Sequence, residues 1–240
     1  MRRRNLEVLP VSLSPGVQSE IAGARRPGRK RKVAKQAAFL DAAMAEFAEK
    51  GYAATRLSDV AGRLGITRST IYRYFVDKED LFRAVIVETI APSEEALKAF
   101  SATHAASLAD LLRSLVEPMA AMAKSPPVGI VLKTVVGEAG NFPELARIWH
   151  DQLMAPTIEV LATAIAQAQE RGEVRAGDPH AYALQILSPL MMSLIWRQTF
   201  VPIGSPDLDV ERLLEQSVET FLAGVLTDHG RAAAAAANAN

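Results

Sequence analysis

The chain has 240 residues, no cysteine, 49% hydrophobic residues, and 27 Lys and Arg against 27 Asp and Glu. That length can bury a sizeable core, and the lack of cysteine excludes a disulfide framework and thiolate metal sites. The even balance hides a split: residues 1–90 carry 17 basic against 10 acidic side chains and residues 91–240 carry 10 against 17, so the first part alone suits a polyanion.

Residues 1 to 32 read as a basic, flexible arm. Pro10, Pro15, Gly16, Gly23, Pro27 and Gly28 break any periodicity, and the arm ends in the cluster Arg25-Arg26-Pro27-Gly28-Arg29-Lys30-Arg31-Lys32. Such an arm can follow a DNA backbone or enter its minor groove. A first helix is predicted over 33–50, with Leu40, Ala43, Met44 and Phe47 as its buried stripe and Gly51 as its end.

The stretch TRLSDVAGRLGITRSTIYRYFVDK, from Thr55 to Lys78, predicts two short helices and a tight turn. Leu57, Val60, Ala61 and Leu64 share one helical face, and Gly65 follows where a helix closes in the left-handed conformation. Thr67 is placed to cap a second helix, whose inner face is Ile71, Tyr74 and Phe75 and whose outer face carries Arg68, Ser69, Tyr72 and Arg73. These residue types donate to phosphates and base edges, and no acid lies between Leu64 and Val76. The pattern is that of a helix-turn-helix.

The run from Ala37 to Phe82, AAFLDAAMAEFAEKGYAATRLSDVAGRLGITRSTIYRYFVDKEDLF, resembles the TetR family of bacterial transcriptional repressors. Ala43, Phe47, Gly51-Tyr52, Thr55, Val60-Ala61, Gly65-Ile66 and Tyr72 through Leu81 carry the resemblance, with Tyr74 standing where the family more often has histidine. The resemblance implies an all-α protein. Its N-terminal three-helix helix-turn-helix DNA-binding domain, over 33–92, precedes a larger helical ligand-binding and dimerisation domain over 93–228, and residues 229–240 form a low-complexity tail. It implies base reading by Arg68, Ser69, Thr70 and Arg73 and phosphate contacts from Ser58, Thr67, Tyr72, Tyr74 and Lys78. A homodimer would bind a palindromic operator on double-stranded DNA and release it when a small-molecule inducer binds. Activation, or DNA binding without a ligand, remains an open alternative at this stage.

After residue 93 the breakers divide the chain into helices over 108–124, 127–138, 143–171, 179–200 and 208–227. Pro118, Pro156 and Pro189 fall inside three of them and predict kinks. Bulky neighbours of these prolines suggest an adaptable apolar pocket with Met119, Met122, Trp149, Met192 and Trp196 in its wall. Asn141, His150, Gln185 and Arg197 are the candidate polar anchors. Two late stripes, Leu184, Leu187 and Met191, then Leu214, Val218, Phe221 and Leu222, are expected at the dimer interface.

Catalysis finds no support. His104, His150, His180 and His229 lack metal-ligand spacing, and no nucleophile elbow, phosphate loop or dinucleotide fingerprint occurs. No cofactor and no metal is expected. The most apolar stretch, 184–196, is short and holds Gln185, Ser188 and Pro189, so no membrane partner is expected and a cytoplasmic location is.

Overall fold

The computed structural model describes residues 29–90 and 107–237. The arm through residue 28, the stretch 91–106 with Pro92 and His104, and residues 238–240 lie outside the described residues. Among the described residues the protein is all-α, and its sheet-like pairing is a lone antiparallel bridge between Val174 and Leu226.

Helix α1, Arg29–Ala54, starts earlier than the predicted residue 33 because no breaker separates Arg29 from Gly51 and the intervening residues are good helix formers. Gly51, at φ 77°, bends the chain and one further turn follows. Thr55 Oγ1 donates to the carbonyls of Gly51 (2.8 Å) and Glu46 (3.2 Å), satisfying groups that the helix end leaves open. Helix α2, Leu57–Arg63, buries Leu57, Val60 and Ala61 as the periodicity requires. Gly65 closes it at φ 64°, and the Ile66 N–H donates to Ala61 O at 3.0 Å.

Helix α3, Arg68–Ile71, is a single turn that tightens at its end, where the Tyr74 N–H donates to Ile71 O at 2.9 Å. Helix α4, Lys78–Val85, is capped by Asp77, whose carboxylate accepts from the Asp80 N–H at 2.8 Å, and runs into a π turn at Ile86–Ile90.

The body contains α5 (Leu108–Ser114), α6 (Val116–Lys124), α7 (Pro126–Glu138), α8 (Pro143–Trp149), α9 (Ala155–Glu170), α10 (Pro179–Thr199), α11 (Val210–Val225) and α12 (Asp228–Ala237). A π turn, His150–Met154, joins α8 to α9 with the backbone helical throughout, so the predicted single helix over 143–171 is nearly right. One of the three expected proline kinks is corrected: Pro118 lies in the first turn of α6, where a missing N–H costs little. Pro156 follows directly on the π turn within the continuous helical backbone, and Pro189 interrupts the interior of α10.

The start of the low-complexity tail is helical. Residues 228–237 form a helix with Ala234 buried, held because the Thr227 N–H donates to Glu173 O at 2.9 Å and Thr227 Oγ1 accepts from the Gly230 N–H at 3.1 Å. Glu173 is itself buried, accepting from the Leu108 N–H at 3.0 Å and from Arg171 Nε at 2.5 Å, so one carboxylate pins the start of α5 beside the turn that holds α12.

A continuous apolar core runs from α1 through α11 and joins the first four helices to the body. Within the N-terminal unit it is aromatic: Phe47, Tyr52 and Phe82 stack at centroid separations of 5.5 to 5.8 Å.

Candidate nucleic-acid interface and effector cavity

Ile71 and Phe75 anchor α3 in the core at 0% and 5% exposure, which turns the rest of the segment outward. Arg68, Ser69, Tyr72 and Arg73 are exposed, with Thr70 and Ser58 half-buried at the edge. The Arg68 guanidinium lies 5.2 Å from the Tyr72 ring centroid, a stacking that restricts its motion while leaving its donors outward. Tyr74 packs its ring on Phe39 at 4.8 Å and keeps an exposed edge. Thr67 does not cap α3 through its side chain as expected. Its hydroxyl pairs instead with those of Ser69 and Thr70, each at 2.9 Å, forming a hydroxyl cluster at the start of the helix.

Two features that the sequence did not reveal hold this surface in place. Buried Glu46 on α1 accepts from Arg63 Nε of α2 at 2.9 Å and lies 2.6 Å from Lys50 Nζ. Arg63 also reaches Glu49, and Lys50 approaches Asp59 at 3.8 Å. Burial pushes the Glu46 carboxyl up, but Lys50 and Arg63 outweigh it and hold the group below its ordinary range.

The second feature is Lys78, which turns inward. Its ammonium donates to the carbonyls of Tyr52 (2.5 Å) and Ala53 (3.2 Å) and sits 4.2 Å from the Tyr52 ring centroid and 5.4 Å from that of Phe142. Burial draws its pKa down, opposed by the fields of Glu138 and Glu144. Burial also pushes the Tyr52 hydroxyl well above its ordinary value, so the ring stays neutral.

The body contains a small apolar cavity of about 40 Å³ whose wall includes Met122, Trp149, Met154, Leu187, Met191 and Leu194. Met122 and Trp149, expected in a pocket wall, line this cavity. The other candidates lie elsewhere. Met119 is buried in α6 away from the cavity, Met192 is 54% exposed, and Asn141, His150 and Gln185 are exposed. His150 instead pairs with Asp151 at 2.7 Å. Trp196 Nε1 donates to Pro206 O at 3.0 Å, and Arg197 pairs with Asp207 at 3.2 Å.

Of the residues expected at a subunit interface, Leu184 is exposed and Phe221 half-buried. Leu187, Leu214, Val218 and Leu222 are buried within the chain, and Met191 faces the cavity. The outward apolar residues of α10 are Leu184, Met192 and Ile195. Beside them, a groove of about 530 Å³ runs between Gln185 and the α11 residues Leu213, Ser217 and Phe221. Among the described residues no helix is long and apolar enough to cross a membrane, and no side-chain cluster could hold a metal.

A glycine turn presenting a short, cationic, acid-free helix on an aromatic three-helix unit defines a helix-turn-helix transcriptional regulator. The chain belongs to the TetR family. The model for bacterial regulatory proteins of the tetR family matches residues 39–85, and that for the AefR-like transcriptional repressor C-terminal domain matches residues 110–224. It is 31% identical over 154 residues to the transcriptional repressor BepR of Brucella suis, spanning 62% of this chain and 73% of that protein. A TetR-family regulator from Mesorhizobium loti shares the fold with a TM-score of 0.66 at 23% identity, over 84% of this chain and all of that one. The flavonoid-responsive regulator FrrA has a TM-score of 0.60 at 26% identity, over 81% of this chain and 98% of its own. Regulation of transcription, not catalysis, is the activity of this class.

Proposed function

We propose that the protein is a cytoplasmic, homodimeric repressor that binds a palindromic operator and releases it when a small, largely apolar effector binds. The observation that carries the reading is the outward face of α3, where Arg68, Ser69, Tyr72 and Arg73 are exposed with no carboxylate between Leu64 and Val76. Arg68, Ser69, Thr70 and Arg73 read base edges in the major groove, with arginine to guanine the favoured pairing. Ser58, Thr67, Tyr72 and Tyr74 hold phosphates, and Lys78 supports them by fixing the end of α1, with phosphate within reach when its inward bonds open.

A two-fold dimer places two α3 helices in successive major grooves, about 34 Å apart. The outward face of α10, with Leu184, Met192 and Ile195, supports pairing there, with Leu213, Ser217 and Phe221 of α11 at its side. The effector enters the cavity lined by Met122, Trp149 and Met191. Its present 40 Å³ accommodates little more than a water, so entry displaces the pliable methionines. The flavonoid-responsive relative supports an aromatic, weakly polar effector. Binding is coupled to DNA release through the body and does not compete for the DNA surface.

Footprinting on DNA upstream of the protein's own gene, with salt varied and random DNA as control, tests the reading. A protected palindrome with affinity well above random DNA is expected. Equal, salt-sensitive binding to both would overturn operator recognition, and no binding would overturn the DNA reading itself.

A further inference from the structure

Beside the packing of α1 on α7, the contact between the N-terminal unit and the body includes one aromatic side chain of the α7–α8 turn. Phe142 places its ring 5.2 Å from that of Tyr52 in an edge-to-face arrangement and 5.4 Å from the Lys78 ammonium. Tyr52 follows the Gly51 bend of α1, and Lys78 opens α4, so the Phe142 ring reaches the two elements that flank the helix-turn-helix. Glu138 and Glu144, on either side of Phe142, direct their fields at the same ammonium. One side chain of the turn, Phe142, therefore meets Lys78 directly, with the carboxylates of Glu138 and Glu144 at the adjoining helix ends.

The turn is stiff enough to transmit position. The Phe142 N–H donates to Glu138 O at 2.8 Å, its carbonyl accepts from the Leu145 N–H at 3.0 Å, and Pro143 fixes the next φ. Helix α8 then runs from Pro143 to Trp149, whose indole lines the apolar cavity, and the π turn that follows contributes Leu153 and Met154 to the same wall. Phe142 and Trp149 therefore stand at the two ends of a single helix of seven residues.

We infer that Phe142 is a positioning residue: its ring, seated on Tyr52 and Lys78, sets the orientation of the helix-turn-helix against the body and links it to the Trp149 wall of the cavity. The inference rests on the DNA-binding reading for its consequence, though not for its geometry.

Two measurements on the full chain test it. In the first, without DNA, amide hydrogen exchange is compared among the wild type, Phe142→Ala and Phe142→Tyr. Loss of one aromatic pair and one cation contact is expected to speed exchange about tenfold in residues 52–72 and 78–85 of Phe142→Ala, and Phe142→Tyr is expected to behave as wild type. Faster exchange confined to the α7–α8 turn would overturn the inference.

In the second, Trp149 is made the single tryptophan by Trp196→Phe, and its emission is followed while the footprinted DNA is added, with anisotropy of labelled DNA reporting binding. Emission is expected to change with the anisotropy midpoint and to stay at its free value in Phe142→Ala although DNA still binds. An unchanged emission response in Phe142→Ala, or binding to the parent without any response, would overturn the link. Absence of anisotropy change with either protein would count against DNA binding, leaving the exchange result to decide the position of Phe142.

Discussion

Replacing Arg63 with methionine keeps the aliphatic stem and removes two of the three ion pairs between α2 and α1, leaving Lys50–Asp59. The Glu49 pair is partly solvated, so its loss costs under about 1 kcal/mol. The Glu46 bond is different, because that residue is 4% exposed and keeps only the ammonium of Lys50. A hydrogen bond to a charged group contributes about 1.5–3 kcal/mol, and the remaining Lys50 offsets part of its loss. The expected destabilisation is about 2 kcal/mol, measured by urea unfolding at fixed protein concentration and neutral pH.

The pH dependence supplies an independent check. Glu46 has a depressed folded pKa, so its contribution is full above its unfolded value of 4.5 and is lost as pH falls through the lower folded one. The gap between wild type and Arg63→Met therefore narrows as acid protonates Glu46 in both proteins, and Glu46→Gln should cost less in the Arg63→Met background than in wild type. A gap under about 0.5 kcal/mol at neutral pH, or additive losses in the double variant, would refute the clamp.

Arg68→Ala should cost about 1–3 kcal/mol on the operator and relax preference at one base pair per half-site, with titrations on operator and random DNA as the assay; equal loss on both would remove Arg68 from base reading. Gly230→Ala should lower Tm more than Gly129→Ala. A Cβ at Gly230 would stand 2.1 Å from the Glu173 backbone carbonyl, whereas at Gly129 it meets the movable amide end of Gln198. Gly65→Ala forces a side chain to φ 64° and should cost about 1–2 kcal/mol in calorimetry. Met192→Glu, on the outward face of α10, should yield monomers in sedimentation velocity at micromolar protein, and an unchanged dimer would move the interface elsewhere.

Local chemistry made the N-terminal unit legible. The Leu57, Val60, Ala61 face, the left-handed Gly65 and the outward Arg68 and Arg73 all follow from spacing and residue type, which act within a few residues. Packing partners distant in sequence were not legible. Apolar periodicity found Leu214, Val218 and Leu222 correctly as one face, but the most apolar face of a helix turns to its own subunit's core, and the mixed face with Leu184 and Met192 is left outside. Lys78 reads as an outward phosphate contact until the Tyr52 carbonyl, 26 residues earlier, is brought beneath it. Phe142 carries no local signal beyond an aromatic residue before a proline. Pro118 misled because a proline's effect depends on the turn it occupies.

Helix α1 belongs to two neighbourhoods at once. One side backs the helix-turn-helix, while Phe47, Ala48, Gly51 and Tyr52 line a cleft of about 390 Å³ shared with Ile130, Thr134 and Glu138 of α7. The reading head is thus not a module that can be cut at the end of α4 and grafted onto another sensor. A chimera that exchanged residues 29–90 alone would bring a foreign α1 against α7 and leave Tyr52 and Lys78 without Phe142. Working hybrids between such regulators must carry the α1 and α7 surfaces, with the α7–α8 turn, as one matched inheritance.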